Sequence, residues 1–230
     1  MKTGVIVQAR MSSQRLPDKV LTIVNGKPML QYLLERLTHC SSIDQIVVAT
    51  SEDKSDDPIA EFCYKYEALC FRGPLQNVAK RFYMALEKYN LDAFVRVCGD
   101  SPMLDQKLID QGVKLFNGEY DIITNTLPRS FPLGQSVEVI RTSTFKKVYE
   151  KMSRPDHFEH VTKYYYEHSN EFRIKNFSNN KDLSCYRLVV DTLEDLKRIE
   201  KILASMTRPH TEYSLDDCIK LYPSLKKVLC

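Results

Sequence analysis

Gly4–Lys19 reads GVIVQARMSSQRLPDK, and the fold turns on how this stretch is read. Val5-Ile6-Val7 is a short apolar run of β-branched residues, the composition of a buried strand. Polarity then switches. Arg10, Arg15 and Lys19 fall within ten residues, interleaved with Ser12, Ser13 and Gln14, before Pro17-Asp18 turns the chain. A strand that empties into a cationic, hydroxyl-rich loop is a seat for a polyanion, because arginine forks grip phosphate oxygens in pairs and lysine adds a mobile point charge. In open α/β sheets, loops at the carboxyl ends of strands are where ligands bind. The spacing matches neither the GxxxxGK[ST] phosphate loop nor the GxGxxG dinucleotide loop. The loop holds no glycine, so side chains must do what backbone N–H groups do in those motifs. The plainer alternative, a solvated basic loop, stays open on composition alone.

The whole chain sets the bounds. Its 230 residues, 43% of them hydrophobic, suit a single domain over residues 1–230 with at most a modest subregion. A formal charge of +3 is too weak to argue for nucleic acid, so the basic loop matters as a local feature. No apolar run approaches membrane length, and a strand begins almost at the first residue, which leaves no room for a secretory signal. The seven cysteines are scattered with no CxxC pair. Free thiols in a reducing cytosol account for them better than disulfides or a zinc site, so the expected location is cytoplasmic.

Beyond the loop, strand and helix alternate. Pro28 can open a helix with the stripe Leu30, Leu33, Leu34 and Leu37. Gln45–Thr50 is a second buried strand, and Ile59, Phe62, Cys63 and Tyr66 mark a helix. Leu69–Phe71 is a third strand, Val78, Phe82, Leu86 and Tyr89 mark a helix, and Ala93–Cys98 is a fourth strand. This order predicts a mostly parallel sheet covered on both faces. From Tyr120 the pattern loosens. Asp121–Thr124 reads as a strand, Leu127–Gln135 as a loop holding Arg129, and Val137 and Val139 flank Glu138 as in a half-exposed strand. A helix through Phe145, Val148, Tyr149 and Met152 follows, then one through Phe158, Val161, Thr162 and Tyr165, then a short strand within Phe172–Phe177. Tyr164-Tyr165-Tyr166 suits an interface or a ligand wall, or simply a core edge. Leu188-Val189-Val190 is read as another buried strand, with Thr192 and Asp195 forming a capping box behind it. Ser214 can cap a last helix through Leu215, Cys218 and Ile219.

Two acids stand out. Asp100 follows the fourth strand in Gly99-Asp100-Ser101-Pro102, and Asp191 follows Val190. Each could merely cap a helix or a turn. Asp105 is the better cap for the helix after Asp100, which frees Asp100 for other work. If both strands lie in one parallel sheet, both carboxylates reach the edge that carries the cationic loop. Two carboxylates that share a hard divalent ion with substrate phosphates are the usual Mg²⁺ arrangement. With Arg10, Arg15 and Lys19 taking the charge beyond the metal, the set describes a nucleoside-triphosphate site.

At this point the chain resembles a known family. QARMSSQRLPDKVL is similar to the opening of the nucleotidyltransferases that activate sugars with CTP, including the synthetases of CMP-KDO and CMP-acylneuraminate. The nearer likeness is to the cytidylyltransferase group of spore coat polysaccharide biosynthesis protein F. It extends through QIVVATS, FRGPLQNVAKRF, RVCGDSPMLD, the strand around Glu138, EHVTKYYYE and VVDTLEDL. The resemblance implies a three-layer, Rossmann-like nucleotide-diphospho-sugar transferase fold with a mixed, mostly parallel sheet. It also implies a small extension, approximately residues 125–180, for the acceptor and for a homodimer. It implies CTP as donor, an anionic sugar-like acceptor, and Mg²⁺ on Asp100 and Asp191. Lys19, Arg10 and Asp100 would serve catalysis, while Gln8, Ala9, Arg10, Ser13, Arg15, Lys19, Arg72, Gly73 and Arg81 would serve the nucleotide. Arg129, Glu138 and His160 would lie on the acceptor side.

The chain also departs from the family pattern. Asp18 stands where the family has Gly, and Gln76-Asn77 and Lys80 stand where this group carries acids. Gln135-Ser136 replaces the Leu-Asp of a GLDVEV-like stretch, on the acceptor side. His157 and His160, three apart, could in principle share a metal, although no Cys or third His is near in sequence. Two other functions fit parts of the pattern: a nucleotide-binding partner without catalysis, and a glycosyltransferase that uses a finished nucleotide sugar. The second usually carries Asp-x-Asp, which this chain lacks.

Overall fold

In the computed structural model, which describes residues 1–222, apolar runs and amphipathic stretches alternate as their periods require. Thr3–Gln8 (β1) leads through the cationic loop and a 3₁₀ turn at Lys19–Leu21 to a hairpin of Ile23–Val24 (β2) and Lys27–Pro28 (β3). Next come Met29–Leu37 (α1), Gln45–Ser51 (β4), Asp57–Lys65 (α2), Leu69–Gly73 (β5), Val78–Tyr89 (α3) and Ala93–Cys98 (β6). Gln106–Leu115 (α4), Ile122–Thr124 (β7), Glu138–Arg141 (β8) and Thr142–Lys151 (α5) follow. The last elements are Pro155–Glu159 (α6), Lys163–Glu167 (α7), Ile174–Asn176 (β9), Leu193–Ala204 (α8) and Leu215–Lys220 (α9).

Seven of the strands form one sheet in the order β5-β4-β1-β6-β8-β7-β9. β1 lies between β4 and β6 and is parallel to both, with Val5 level with Ile46 and Val95. β8 runs antiparallel to β6 and to β7, so the sheet is mixed but mostly parallel. The strand period of two decides which layer each residue joins. Val5, Val7, Val48, Val95 and Val139 pack on one face with α1, α4 and α8. Ile6, Val47, Phe94 and Ile140 pack on the other with α3 and α5. This is the three-layer nucleotide-diphospho-sugar transferase fold. The chain steps to β4 on one side of β1 and to β6 on the other. The loops after β1 and β6 therefore meet at the crevice where the strand order reverses.

Several local expectations are corrected. Leu188-Val189-Val190 is not a sheet strand. Its backbone bonds run to loops instead, from Leu188 N–H to the Leu133 carbonyl and from Val190 N–H to the Asp100 carbonyl. Leu188 and Val190 are nonetheless fully buried, so the apolar signal was that of a core segment. Glu138 is 3% exposed rather than half-exposed, because Arg96 from the adjacent strand neutralises it. The expected helix through Phe158 and Tyr165 is two short ones, α6 and α7, broken at His160–Thr162. The β-branched pair Val161-Thr162 falls at the break, where it disfavours continuation. Cys40, Cys63, Cys70, Cys98 and Cys218 are free thiols, whereas Cys185 is disulfide-bonded, against the expectation of free cysteines throughout.

Candidate active site

The cationic loop is pinned at its start. Ala9 N–H donates to the Ala49 carbonyl at 3.2 Å, and Met11 N–H donates to the buried Asp56 carboxylate at 2.7 Å. Asp56 also accepts from the Ser51 N–H at 3.2 Å, which ties the loop to the end of β4. Asp18 has φ +58°, the left-handed conformation that glycine favours and that aspartate tolerates better than most residues. The substitution of Asp for Gly is thereby accommodated at the turn that delivers Lys19.

Lys19 is the hub. Its Nζ donates to Asp100 Oδ2 at 2.7 Å, to the Val190 carbonyl at 2.8 Å and to Asp191 Oδ1 at 3.0 Å. Burial would push its pKa down, but the charge and hydrogen bond of Asp100, and then those of Asp191, outweigh burial and hold the ammonium above the ordinary lysine value. Asp100 is carried by the turn after β6, and Asp191 by the buried segment that the Asp100 carbonyl itself receives. Two carboxylates that already converge on one cation, each about a fifth exposed, are a hard oxygen donor pair suited to Mg²⁺. Among the described residues no group of three or more His, Cys, Asp or Glu forms a metal cage.

A cleft of about 840 Å³ opens over this hub. Gln8, Ala9, Arg10, Ser13, Arg15 and Arg81 line it together with Lys19, Asp100, Asp191 and His160. Arg15 reaches Asp191 Oδ1 at 2.9 Å while remaining 66% exposed, and Arg10 meets Glu159 at 3.2 Å. Arg81 is almost fully buried, and burial pushes its pKa down to about 10, with Asp56 opposing. Its Nε has no partner among the described residues. Arg72 and Gly73 do not line the cleft. Arg72 instead binds the Ser51 carbonyl at 2.8 Å and Asp57 at 2.6 Å. At Gly73 a Cβ would stand 3.2 Å from Arg81 Cγ, so the glycine makes room for Arg81 to pack.

Arg129, Glu138 and His160 meet in a second cavity of about 350 Å³, and His160 lines both cavities. A smaller space of about 210 Å³ lies between the hub and Glu138. Glu138 accepts from Arg96 Nη1 at 2.7 Å and from the Tyr166 hydroxyl. Burial works against the charge of Arg96, but Cys98 and Glu138 outweigh it and raise its pKa. Arg96 also donates from Nε to the Gln8 side chain at 3.1 Å, which links the two cavities. His157, by contrast, is buried and bound to Glu167 at 2.9 Å, away from His160. Asp56, Arg96 and Lys163 were not singled out by sequence reasoning, whereas Tyr166 belongs to the tyrosine run read as an interface, a ligand wall or a core edge, and it lines the second cavity. Arg96, a charge in mid-strand, and Asp56, in the acidic run SEDKSDD, were the available signals.

A mostly parallel sheet covered on both faces, with a cationic loop set over paired carboxylates at its central edge, is the frame of a nucleotidyltransferase. Residues 4–217 match the model of the cytidylyltransferase family, and the chain belongs to that family. It is similar to a cytidylyltransferase from Leptospira borgpetersenii serovar Hardjo-bovis, with 32% identity, a TM-score of 0.92, and coverage of 96% of this chain and 93% of that one. It is 30% identical to spore coat polysaccharide biosynthesis protein SpsF of Bacillus subtilis, over 86% of this chain and 84% of the relative. It is 28% identical to 3-deoxy-manno-octulosonate cytidylyltransferase 2 of Hydrogenovibrio crunogenus, over 89% and 86% of the two chains. Among the described residues no helix is long and apolar enough to cross a membrane.

Proposed function

We propose that the protein transfers the cytidylyl group of CTP to an anionic sugar-like acceptor and releases pyrophosphate. The observation that carries this reading is the convergence of Lys19, Asp100 and Asp191 at the floor of a cleft lined by Arg10, Arg15 and Arg81. An acceptor oxygen attacks the α-phosphorus, the new P–O bond forms, and the bond to the β-phosphate oxygen breaks in line. Arg10, Arg15 and Lys19 take the charge of the departing pyrophosphate. Asp100 and Asp191 would hold Mg²⁺, which when bound neutralises charge on the phosphate under attack. The second cavity takes the acceptor. Arg129, His160 and Lys163 surround it, and Glu138 is already neutralised by Arg96, so its field favours a carboxylate or phosphate. An acceptor that reacts through an anionic oxygen needs no general base. The names of the Bacillus and Hydrogenovibrio relatives support a sugar acid or sugar phosphate destined for surface polysaccharide, the spore coat included. A homodimer through residues 125–180 and a cytoplasmic location are parts of the same proposal.

The test is a pyrophosphate-release screen with CTP and Mg²⁺ against sugar acids and phosphorylated acceptors. Asp100→Ala should lower release by at least about a hundredfold, the order expected for loss of a major electrostatic group. Unchanged turnover would remove Asp100 from the chemistry. Stabilisation by a nucleotide sugar in preference to CTP would favour glycosyl transfer instead.

A further inference from the structure

An ammonium group has three N–H donors. In Lys19 all three are engaged by protein oxygens: Asp100 Oδ2 at 2.7 Å, the Val190 carbonyl at 2.8 Å and Asp191 Oδ1 at 3.0 Å. The side chain is 9% exposed, so none of the three is offered to the cleft. Lys19 therefore cannot bridge the aspartates and grip a triphosphate at the same time. Asp191 is further surrounded by Arg15 at 2.9 Å and Arg187 at 3.6 Å. A divalent cation approaching alone meets three positive side chains around the carboxylates it needs. A polyanion arriving with it reverses that balance, because it draws lysine and arginine toward its own oxygens.

We propose that Lys19 is a placeholder cation. It keeps Asp100 and Asp191 converged before substrate arrives, and it gives up the carboxylate pair to the divalent ion only when a nucleoside triphosphate draws its ammonium away. The inference rests on the reading above, that these aspartates hold the metal. It adds that metal and nucleotide bind interdependently and that the lysine is the coupling element. By linkage, the factor by which CTP tightens metal binding equals the factor by which the metal tightens CTP.

The test titrates Mn²⁺, read as free ion by electron paramagnetic resonance, into full-length protein with and without CTP and with no acceptor present. Mn²⁺ bound to CTP alone is measured in a protein-free titration and subtracted. Without nucleotide, Lys19→Met should bind Mn²⁺ at least about tenfold more tightly than wild type, the effect of clearing one close cation from the pair. Lys19→Gln keeps the shape and some donors without the charge, and it should behave as Lys19→Met does if the methionine variant folds poorly. Lys19→Arg should stay near wild type. Arg15→Gln removes a charge beside Asp191 without removing the placeholder, and it should gain less than about threefold. CTP should tighten Mn²⁺ binding far more in wild type than in Lys19→Met.

The proposal is overturned if Lys19→Met and Lys19→Gln bind no tighter than wild type, or if Arg15→Gln gains as much as they do. Asp100→Asn, measured with CTP, tells the two failures apart. If it leaves Mn²⁺ binding intact, the aspartates are not the metal site and the functional reading falls with the inference. If it abolishes binding while the Lys19 variants match wild type, only the placeholder role is lost.

Discussion

Arg129 Nη2 and Ser136 Oγ are 3.1 Å apart, and the other terminal nitrogen of the same guanidinium, Nη1, is buried with no partner among the described residues. Burial pushes the pKa of Arg129 down, with Glu138 opposing. The hydroxyl of Ser136 satisfies one donor but supplies no counter-charge. An Asp here, as in the GLDVEV-like pattern, would place a carboxylate beside the arginine, which Ser136 does not. Ser136→Asp should therefore raise KM for the anionic acceptor by about 10- to 100-fold, the value of a charge-assisted hydrogen bond. CTP affinity should stay near wild type, since Ser136 does not line the cleft over Lys19. Steady-state kinetics with each substrate varied in turn would check this, and an unchanged acceptor KM would detach Arg129 from acceptor binding.

Asp56 anchors the cationic loop at Met11. It is completely buried and accepts from Met11 N–H at 2.7 Å and Ser51 N–H at 3.2 Å. Asp56→Ala leaves both donors buried without an acceptor, at a cost of about 2–4 kcal/mol in folding free energy. The loop anchored at Met11 carries Arg15 and Lys19, so the CTP dissociation constant should also rise roughly tenfold. Urea unfolding and calorimetric titration of CTP measure the two effects separately.

How far the sequence could be read differs by kind of interaction. Val5-Ile6-Val7, Gln45–Thr50 and Ala93–Cys98 declared their strands, because β-branched runs of that length have few other uses. The capping boxes at Thr192/Asp195 and Ser214/Asp217 are local, and both are present. Long-range electrostatics were not legible. Nothing in Val137-Glu138-Val139 announces that Arg96 will neutralise the glutamate from the neighbouring strand, so alternation read it as half-exposed. Leu188–Val190 misled for the opposite reason, since a core segment bonded to loops has the same apolar run as a strand. Lys19, Asp100 and Asp191 do meet, although Asp191 arrives through the bond from Val190 N–H to the Asp100 carbonyl and not along a sheet strand.

Acid stability should report on Glu35, which does not line the cleft. Burial alone would raise its pKa, but Lys27, His210 and Gln31 bond the carboxylate and lower it from 4.5 to about 2. A carboxyl whose folded pKa is depressed stabilises the fold fully above its unfolded value and loses that contribution as pH falls through the folded one. The window here runs from 4.5 down to about 2. Glu35→Gln should be less stable than wild type near neutrality by up to about 3 kcal/mol. The difference should shrink steadily across the window, as followed by urea midpoints at a series of pH values. A constant difference down to the acid end would mean that the ionised form is not what the cluster recognises.

Gly134 joins the backbone of the loop over residues 127–135 to the segment that delivers Asp191. It sits at φ +93°, and a Cβ there would stand 2.5 Å from both Leu188 C and Val189 N, atoms of a buried backbone that cannot swing aside. The neighbouring Leu133 pairs with Arg187, so this contact sets where Val190 and Asp191 emerge. Gly134→Ala imposes a strained dihedral and an overlap together, and should destabilise the fold by roughly 2–5 kcal/mol. That corresponds to a fall in Tm of about 5–15 °C for a chain of this size. In whatever fraction folds, displacement of the Leu188–Val190 segment should pull Asp191 away from Lys19. Mn²⁺ binding in the presence of CTP should then weaken more than CTP binding alone. Gly118 has the same φ of +93° with nothing within 4 Å of its Cβ position, so Gly118→Ala isolates the dihedral strain from the steric overlap. Equal losses of stability in the two variants would show that the close approach to Leu188 and Val189 is not what fixes this segment.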